Sequence, residues 1–515
     1  MSILGREHCS VVIPARNEEK TIHNVIREVK KINPYEIIVV VNGSTDQTKK
    51  IAASFNCKII EFSKALGNDL GRAIGAYYAK GKMILFLDAD IPISCNQLLP
   101  FIEAIGQGHD IALNHLSWIL SPKYIPHVTD IAKMAVNQIL RRQTLANHSL
   151  IAIPHGISQT AIQKIGWWNL ADPVLFQAMA IQKNLSLSVP AAIDVIALNK
   201  PRQEHRSLSV GSPYPESTSR IMGDHLRAIS FLTKQKGERG GLMDGNRQRE
   251  LLYRYVPPIY RKKAKRSAII PVSEEKNTIS QVIRSVRAAG VDEIIVVPNG
   301  ADRETIQRAY QQGAIVIPFP QRLGHNIGRA IGAAHSTGDI CLFVDGDFVI
   351  PPSDLIPFIT AVENGIDIVL NDLKSLLFRF SPIDIISCQK YFLNLALKKP
   401  NLYNNSLTAV PHAIHRRVIE KIGFKTLMIP PLAQVKAILS GFTIKAVHYV
   451  DVIQPNRIRP EHFPKNGIIP AFERIIGDHV EALHYLLSLT NERGGFSDGK
   501  RDREFLLQLR SAQRK

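Results

Sequence analysis

The chain reads as an α/β protein built from two tandem domains, each a doubly wound, mostly parallel sheet. Two observations predict this. Short β-branched and aliphatic runs alternate with amphipathic stretches, the pattern of strands joined by crossover helices. The pattern is also written twice, with the motifs 257 positions apart: LGNDLGRAIGA at 66–76 returns as LGHNIGRAIGA at 323–333, and MILFLDAD at 83–90 as ICLFVDGD at 340–347. A repeat that long is no solenoid unit, which runs about 20–50 residues. Each copy is large enough to bury its own core.

In the first copy, SVVIPA at 10–15 is the opening strand. A helix follows over about 18–32, with Ile22, Val25, Ile26 and Val29 at helical spacing. EIIVVVN at 36–42 is apolar throughout, as suits a central strand buried on both faces. A short helix near 45–54 leads to KIIEF at 58–62, and another over 69–80 leads to MILFLDAD. The second copy repeats the order with SAIIPV (267–272), EIIVVPN (293–299), AIVIPF (314–319) and ICLFVDGD; Pro298 marks the end of its strand, since proline cannot donate to a ladder. Each copy closes alike, with GDHLRAISFL at 223–232 matching GDHVEALHYL at 477–486. ERGG at 238–241 matches ERGG at 492–495, each followed by DG-x-R-x-RE. The expected division is a first domain over 1–256, a basic linker over 257–266 containing Arg261-Lys262-Lys263-Ala264-Lys265-Arg266, and a second domain over 267–515.

Composition narrows the function classes. Of 515 residues 45% are apolar and 21% charged, as in ordinary globular proteins. No run of ~18 apolar residues predicts a transmembrane helix. The N-terminal stretch lacks the order of a signal peptide, so the chain is expected to be unprocessed and cytoplasmic. Five scattered cysteines form neither a metal spacing nor a disulfide framework. The net charge of +19 suits phosphorylated partners; nucleic acid is not expected, and peripheral contact with an anionic membrane surface stays open.

Four constellations carry chemistry. Asp88-Ala89-Asp90 and Asp345-Gly346-Asp347 each end an apolar strand, where ligands bind in open α/β sheets. Side chains two apart point the same way, and like charges that close call for a cation, with oxygen ligands suiting Mg²⁺ or Mn²⁺. The glycine loops (Gly67, Gly71, Gly75 with Arg72; Gly324, Gly328, Gly332 with Arg329) stand at loop-to-helix junctions that can receive an anion or serve packing. Asn42-Gly43-Ser44-Thr45-Asp46 and its twin starting at Asn299 can bond a base or ribose, or cap a helix. His205 and His462 recur at the common offset and are candidate metal ligands. His155 and His412 also recur, and so do His225 and His479, the latter pair read as packing or capping groups.

VVIPARNEEKTI at 11–22, VNGSTDQT at 41–48 and FLDAD at 86–90 together resemble the GT-A glycosyltransferases, specifically glycosyltransferase family 2. The resemblance implies two tandem GT-A domains and a UDP- or GDP-sugar donor. Pro14, Asn17, Glu18, Asn42 and Asp46 would line the nucleotide pocket. Asp88 and Asp90 would hold the diphosphate through the metal. The C-terminal part of each half is similar to the glucosyl-3-phosphoglycerate synthase group, in which a basic-x-x-His segment joins the metal shell; the match falls on His205 and His462. An inverting enzyme needs a carboxylate base; Asp172 is the candidate in the first half, with Ile429 at the matching place in the second.

These readings converge on a metal-dependent glycosyltransferase, at least its first half active, with Asp88, Asp90, His205, Asp345, Asp347 and His462 on the metal. Gly67, Asn299 and Gly324 join the donor contacts, and Arg72 and Arg329 assist the leaving group. The alternative is one catalytic half beside a degenerate second half used for binding or assembly. A nucleotidyltransferase would share the fold, but PARNEEKT is not its G-x-G-T-R-type loop.

Overall fold

A computed structural model describes residues 8–121, 123–198, 202–257, 263–454, 460–465 and 468–512. Within them the chain forms two compact units, the first made of residues 1–232 with 490–515, the second of 233–489.

The strands of the first unit are β1 (Cys9–Ala15), β2 (Glu36–Asn42), β3 (Lys58–Phe62), β4 (Met83–Phe86), β5 (Ile111–Asn114), β6 (His155–Ser158) and β7 (Leu187–Ala191). They form one sheet in the order β3-β2-β1-β4-β6-β5-β7. The second unit has β8 (Arg266–Val272), β9 (Glu293–Pro298), β10 (Ile315–Val316), β11 (Ile340–Phe343), β12 (Ile368–Asn371), β13 (His412–His415) and β14 (Ile444–His448), in the equivalent order. β1 pairs parallel with β2 and β4, whereas β6 runs antiparallel to β4 and β5, so the sheet is mixed on one side.

Both faces are covered, which is why the central strands are apolar throughout. Val11, Ile13, Val39, Val41 and Leu85 pack with Ile22, Val25, Ile26 and Val29 of the helix Ile22–Lys30. On the other face Gly75, in the helix Leu70–Tyr78, lies so close to β1 that an added Cβ would stand 2.2 Å from Val12 Cγ1; Gly332 meets Ile269 likewise at 2.4 Å. Helix-on-sheet packing therefore accounts for these glycines. Gly71 and Gly328 lie against the rings of Pro14 and Pro271, so Pro14 also supports a helix.

Three differences from the expected elements have physical causes. The helix after β1 starts at Ile22, because Glu18 to Thr21 form a turn held by Thr21 N–H donating to the Glu18 carbonyl at 3.1 Å. The strand leading to each aspartate pair stops at Phe86 or Phe343, leaving the carboxylates beyond the ladder. β10 is only two residues long.

The domain boundaries differ from the linear division. Residues 233–256, expected to close the first domain, belong to the second unit, and 490–512 belong to the first. The two tails are exchanged, and charge pairing across each unit, described below, is the reason. Of the expected linker, residues 258–262, including Arg261 and Lys262, lie outside the described residues. No helix among the described residues is long and apolar enough to cross a membrane.

Candidate functional site

Three loops meet beyond the carboxyl ends of β1, β2 and β4. The first two are stitched together. Asn17 N–H donates to Ser44 Oγ at 3.1 Å, Thr45 N–H donates to Asn17 Oδ1 at 2.8 Å, and Glu18 N–H donates to Thr48 Oγ1 at 2.8 Å. Asn17 sits at φ 56°, a left-handed conformation that asparagine tolerates. Asp46 accepts from the Thr48 hydroxyl and from the Thr48 and Glu19 amides, the latter at 3.0 and 3.1 Å, so it ties the start of the following helix to the neighbouring loop. These contacts hold its carboxyl below the usual carboxylate range against a burial effect that would raise it.

Asn42 is bonded to the glycine loop. Its Nδ2 donates to the Gly67 carbonyl at 3.0 Å and its Oδ1 accepts from Leu66 N–H at 2.6 Å. Asn299 grips Gly324 (3.1 Å) and Leu323 in the same way. Both amides are consumed in pinning the glycine loop, which corrects their expected donor contact. Gly67 and Gly324 are corrected too. Gly67 has φ +90°, and a Cβ there would lie 2.5 Å from the Lys500 carbonyl oxygen; on Gly324, at φ +92°, it would lie 2.7 Å from Arg247 Cα. These glycines admit a tail backbone, not a nucleotide.

In the first unit the aspartate pair meets guanidinium groups. Arg72 is buried and donates to Asp88 at 3.0 Å and to Asp69 at 3.1 Å. Arg202 places one Nη 2.5 Å from Asp90 and 2.9 Å from Glu18. Burial opposes the charge on Arg202, and Asp90 and Glu18 outweigh it, so its pKa lies above the ordinary guanidinium value. A single cationic group thus bridges Asp90 and Glu18 where a divalent ion was expected, and these residues as arranged do not fit one. The expected histidine ligand is displaced as well: His205 is exposed, and its Nδ1 accepts from the Arg202 amide at 3.3 Å. In the basic-x-x-His segment it is the basic residue that reaches the carboxylates.

In the second unit Arg329 donates to Asp345 at 2.8 Å. Asp347 lines an open cleft of about 670 Å³ with Glu274, Glu275, Lys276, Thr278 and Asp302. These are the twins of the stitched loops around Asn17, Glu18 and Thr45. Asp345 and Asp347 are hard oxygen donors of the kind that suit Mg²⁺ or Mn²⁺. Arg459, the twin of Arg202, lies outside the described residues. His462 is half-buried on the short turn Pro460–His462. Among the described residues neither histidine gathers with its aspartates into a three-ligand set.

The set that does gather, Asp172, Asp224 and Asp498, is neutralised by arginines. Asp172 is buried and accepts from both Nη atoms of Arg503 at 2.5 and 2.7 Å and from Arg227 at 3.0 Å. Arg493 and Arg501 each bond Asp224 at 2.7 Å. Burial would raise the Asp224 carboxyl, but Arg501, Arg493 and Arg220 hold it far below the ordinary value. Asp172 is therefore a structural counter-ion, not the acceptor base the sequence suggested. Its twin environment confirms the point: Ile429 is buried there, and Glu481, in the place of Arg227, receives Arg249 at 2.8 Å.

The other recurrent histidines, His155, His412, His225 and His479, are core groups. His155 and His412 stack on Phe86 and Phe343 with ring centroids 5.0 and 4.8 Å apart, and burial lowers both to about 3. His225 and His479 each bond the carbonyl four residues earlier at 2.7 Å and are lowered to about 4 by burial. Sequence reasoning passed over Arg202, Asp69, Arg501 and Arg503. The repeated DG-x-R-x-RE segment was the available signal for the last two.

Comparison with known proteins bears on these loops. Over 112 residues the chain is 30% identical to an uncharacterized glycosyltransferase, YkcC, of Bacillus subtilis, covering 20% of this chain and 35% of that protein. Over 88 residues it is 33% identical to 4,4'-diaponeurosporenoate glycosyltransferase of Staphylococcus aureus, covering 16% of this chain and 24% of that one. The match therefore spans about a third or less of these relatives. Among solved structures, glucosyl-3-phosphoglycerate synthase of Mycobacterium tuberculosis, bound to Mn²⁺, UDP and phosphoglyceric acid, is 15% identical; the match covers 43% of this chain and 78% of that one with a TM-score of 0.33. The profile of glycosyl transferase family 2 matches residues 10–163 and 267–374, more than half of the chain and both sets of site loops. The chain belongs to glycosyl transferase family 2.

Proposed function

We propose that the protein transfers a sugar from a nucleoside-diphospho-sugar to an acceptor, the donor lying beyond the carboxyl ends of β8, β9 and β11 in the second unit and of β1, β2 and β4 in the first. The observation that carries this reading is the cleft beside Asp347, built from the loops that the family profile covers. The sequence favoured the first half as the active one; the open cleft in the second supports activity there too, and weighs against a degenerate second half.

Breaking the bond to the anomeric carbon leaves charge on the departing diphosphate, and positive groups aimed at that charge lower the barrier. Lys276 on the cleft and Arg329 beside Asp345 supply them in the second unit. Asp345 and Asp347 would hold Mg²⁺ or Mn²⁺, which when bound supplies Lewis-acid stabilisation of the leaving group. In the first unit Arg202 and Arg72 carry the positive charge. Asp172 is engaged and Ile429 is apolar, so neither offers an acceptor base; this supports a retaining course, in which the acceptor proton needs no protein carboxylate.

The test is donor turnover and nucleotide binding in the full chain, with a panel of UDP-, GDP-, ADP- and CMP-sugars, comparing Asp88→Asn/Asp90→Asn with Asp345→Asn/Asp347→Asn. Loss of charge stabilisation of this kind costs about 10²-fold or more in turnover. Undiminished activity in both double variants, or no nucleotide-dependent rise in melting temperature with any donor, would overturn the proposal.

A further inference from the structure

The exchanged tails do more than fill space. In the first unit the Arg501 side chain is fully buried. Its Nε donates to the Asn68 carbonyl at 3.1 Å, and its two Nη atoms reach Asp224 at 2.7 and 2.9 Å and Asp69 at 2.6 Å. The next amide, Asp502 N–H, donates to the Leu66 carbonyl at 2.8 Å. Asp69 in turn bonds Arg72, and Arg72 bonds Asp88. An unbroken chain of charged contacts thus runs from the tail of the second half to the aspartate at the end of β4.

The second unit repeats the backbone part of this device with the first half's tail. Arg247 is buried and donates through Nε to the His325 carbonyl at 3.0 Å while holding Asp478 at 2.7 and 2.6 Å. Gln248 N–H donates to the Leu323 carbonyl at 2.8 Å. In both units the loop entering the arginine-bearing helix is held on one side by Asn42 or Asn299 and on the other by a tail arginine. Asp69 and Asn326, the residues just before each helix, share a left-handed backbone, φ 66° and 64°.

We infer that Arg501 and Arg247 are positioning residues for the aspartate-bearing ends of β4 and β11, so that each half supplies the clamp that sets the other half's donor site. The inference rests on the donor-site reading. It makes the effect of each tail crossed: a change near the C-terminus acts on the first unit, and a change near residue 247 acts on the second.

The experiment uses the full chain with Arg501→Lys and Arg247→Lys, which keep the charge but lose the fork of donors. Three quantities are measured: hydrogen exchange of the 66–72 and 323–329 segments, UDP affinity with and without Mn²⁺, and the melting temperature. For affinity, Asp345→Asn/Asp347→Asn or Asp88→Asn/Asp90→Asn is the background, so that one unit reports at a time. Arg501→Lys is expected to speed exchange of 66–72 and weaken UDP at the first unit about tenfold, the size of a lost charge-assisted hydrogen bond, with 323–329 unchanged. Arg247→Lys is expected to do the reverse. Should Arg501→Lys not fold, Asp69→Asn breaks the same chain one link further on, at a position where the twin is naturally Asn326, and carries the same expectation. A folded variant with unchanged loop exchange overturns the inference, and so does faster exchange with unchanged UDP affinity. If UDP fails to bind the unsubstituted chain, the donor reading falls by itself, and loop exchange alone then decides whether the arginines position the loops.

Discussion

At the residue scale, the histidines show what burial does to a titratable group. His155, His412, His225 and His479 are neutral in the folded units because burial lowers them to about 3 or 4. In the unfolded chain they titrate near 6.5. Between those values the unfolded state binds more protons, so stability is fully present above pH 6.5 and falls as pH drops toward 4. Each such histidine contributes a slope of about 1.4 kcal/mol per pH unit in that window. Melting temperature should therefore decline from pH 7 to pH 4.5, and His225→Asn with His479→Asn should flatten the decline. An equally steep curve for the double variant would count against this assignment. Their recurrence was visible in the sequence, and so was the packing role of His225 and His479. That His205 turns out exposed was not, because what a side chain faces depends on where its loop lies against other strands.

At the element scale, the face that the helix Glu216–Lys236 turns to the tail is a charge-matched surface. In the first unit Asp172 accepts from both Arg227 and Arg503; in the second Ile429 and Glu481 stand in the places of Asp172 and Arg227, and Glu481 accepts from Arg249. The substitution in one element compensates the substitution in the other. Asp172→Ile alone takes the shared buried carboxylate from Arg227 and Arg503, leaving Arg503 with Asp498 and Arg227 with Glu492, and should destabilise the first unit by about 1–3 kcal/mol. Asp172→Ile with Arg227→Glu reproduces the second unit's arrangement and should recover most of that loss. Denaturant unfolding of the single and double variants checks it; equal stability losses in both would refute the compensation. The strands were legible in the sequence because they are apolar on both faces: β2 and β3 fall on the residues their composition indicated. The role of Asp172 was not legible, since a lone acid beside a proline reads the same whether it meets a substrate or an arginine.

At the scale of the whole molecule, the exchanged tails make each unit depend on chain from both halves. Removing residues 490–515 takes away Arg493, Arg501 and Arg503 and leaves Asp69, Asp172 and Asp224 buried with their principal counter-charges gone. Losses of several kcal/mol at each such carboxylate are comparable with the total stability of a domain, about 5–15 kcal/mol. The truncated chain should lose the cooperative unfolding of the first unit while the second unit keeps its own. Calorimetry together with hydrogen exchange distinguishes this from the alternative, in which both units persist.

Two α/β sheets, the course of their principal strands and an aspartate pair at the end of one strand in each were legible from the residues alone. Those features follow from local periodicity and from a repeat that anyone can align. Which arginine meets which carboxylate, the tail backbone against the glycine loops, and the completion of each unit by the other half's tail emerge only once the chain is folded. Ion pairs between residues more than two hundred positions apart leave no periodic trace, and two copies of one motif offer equivalent partners until the fold selects between them.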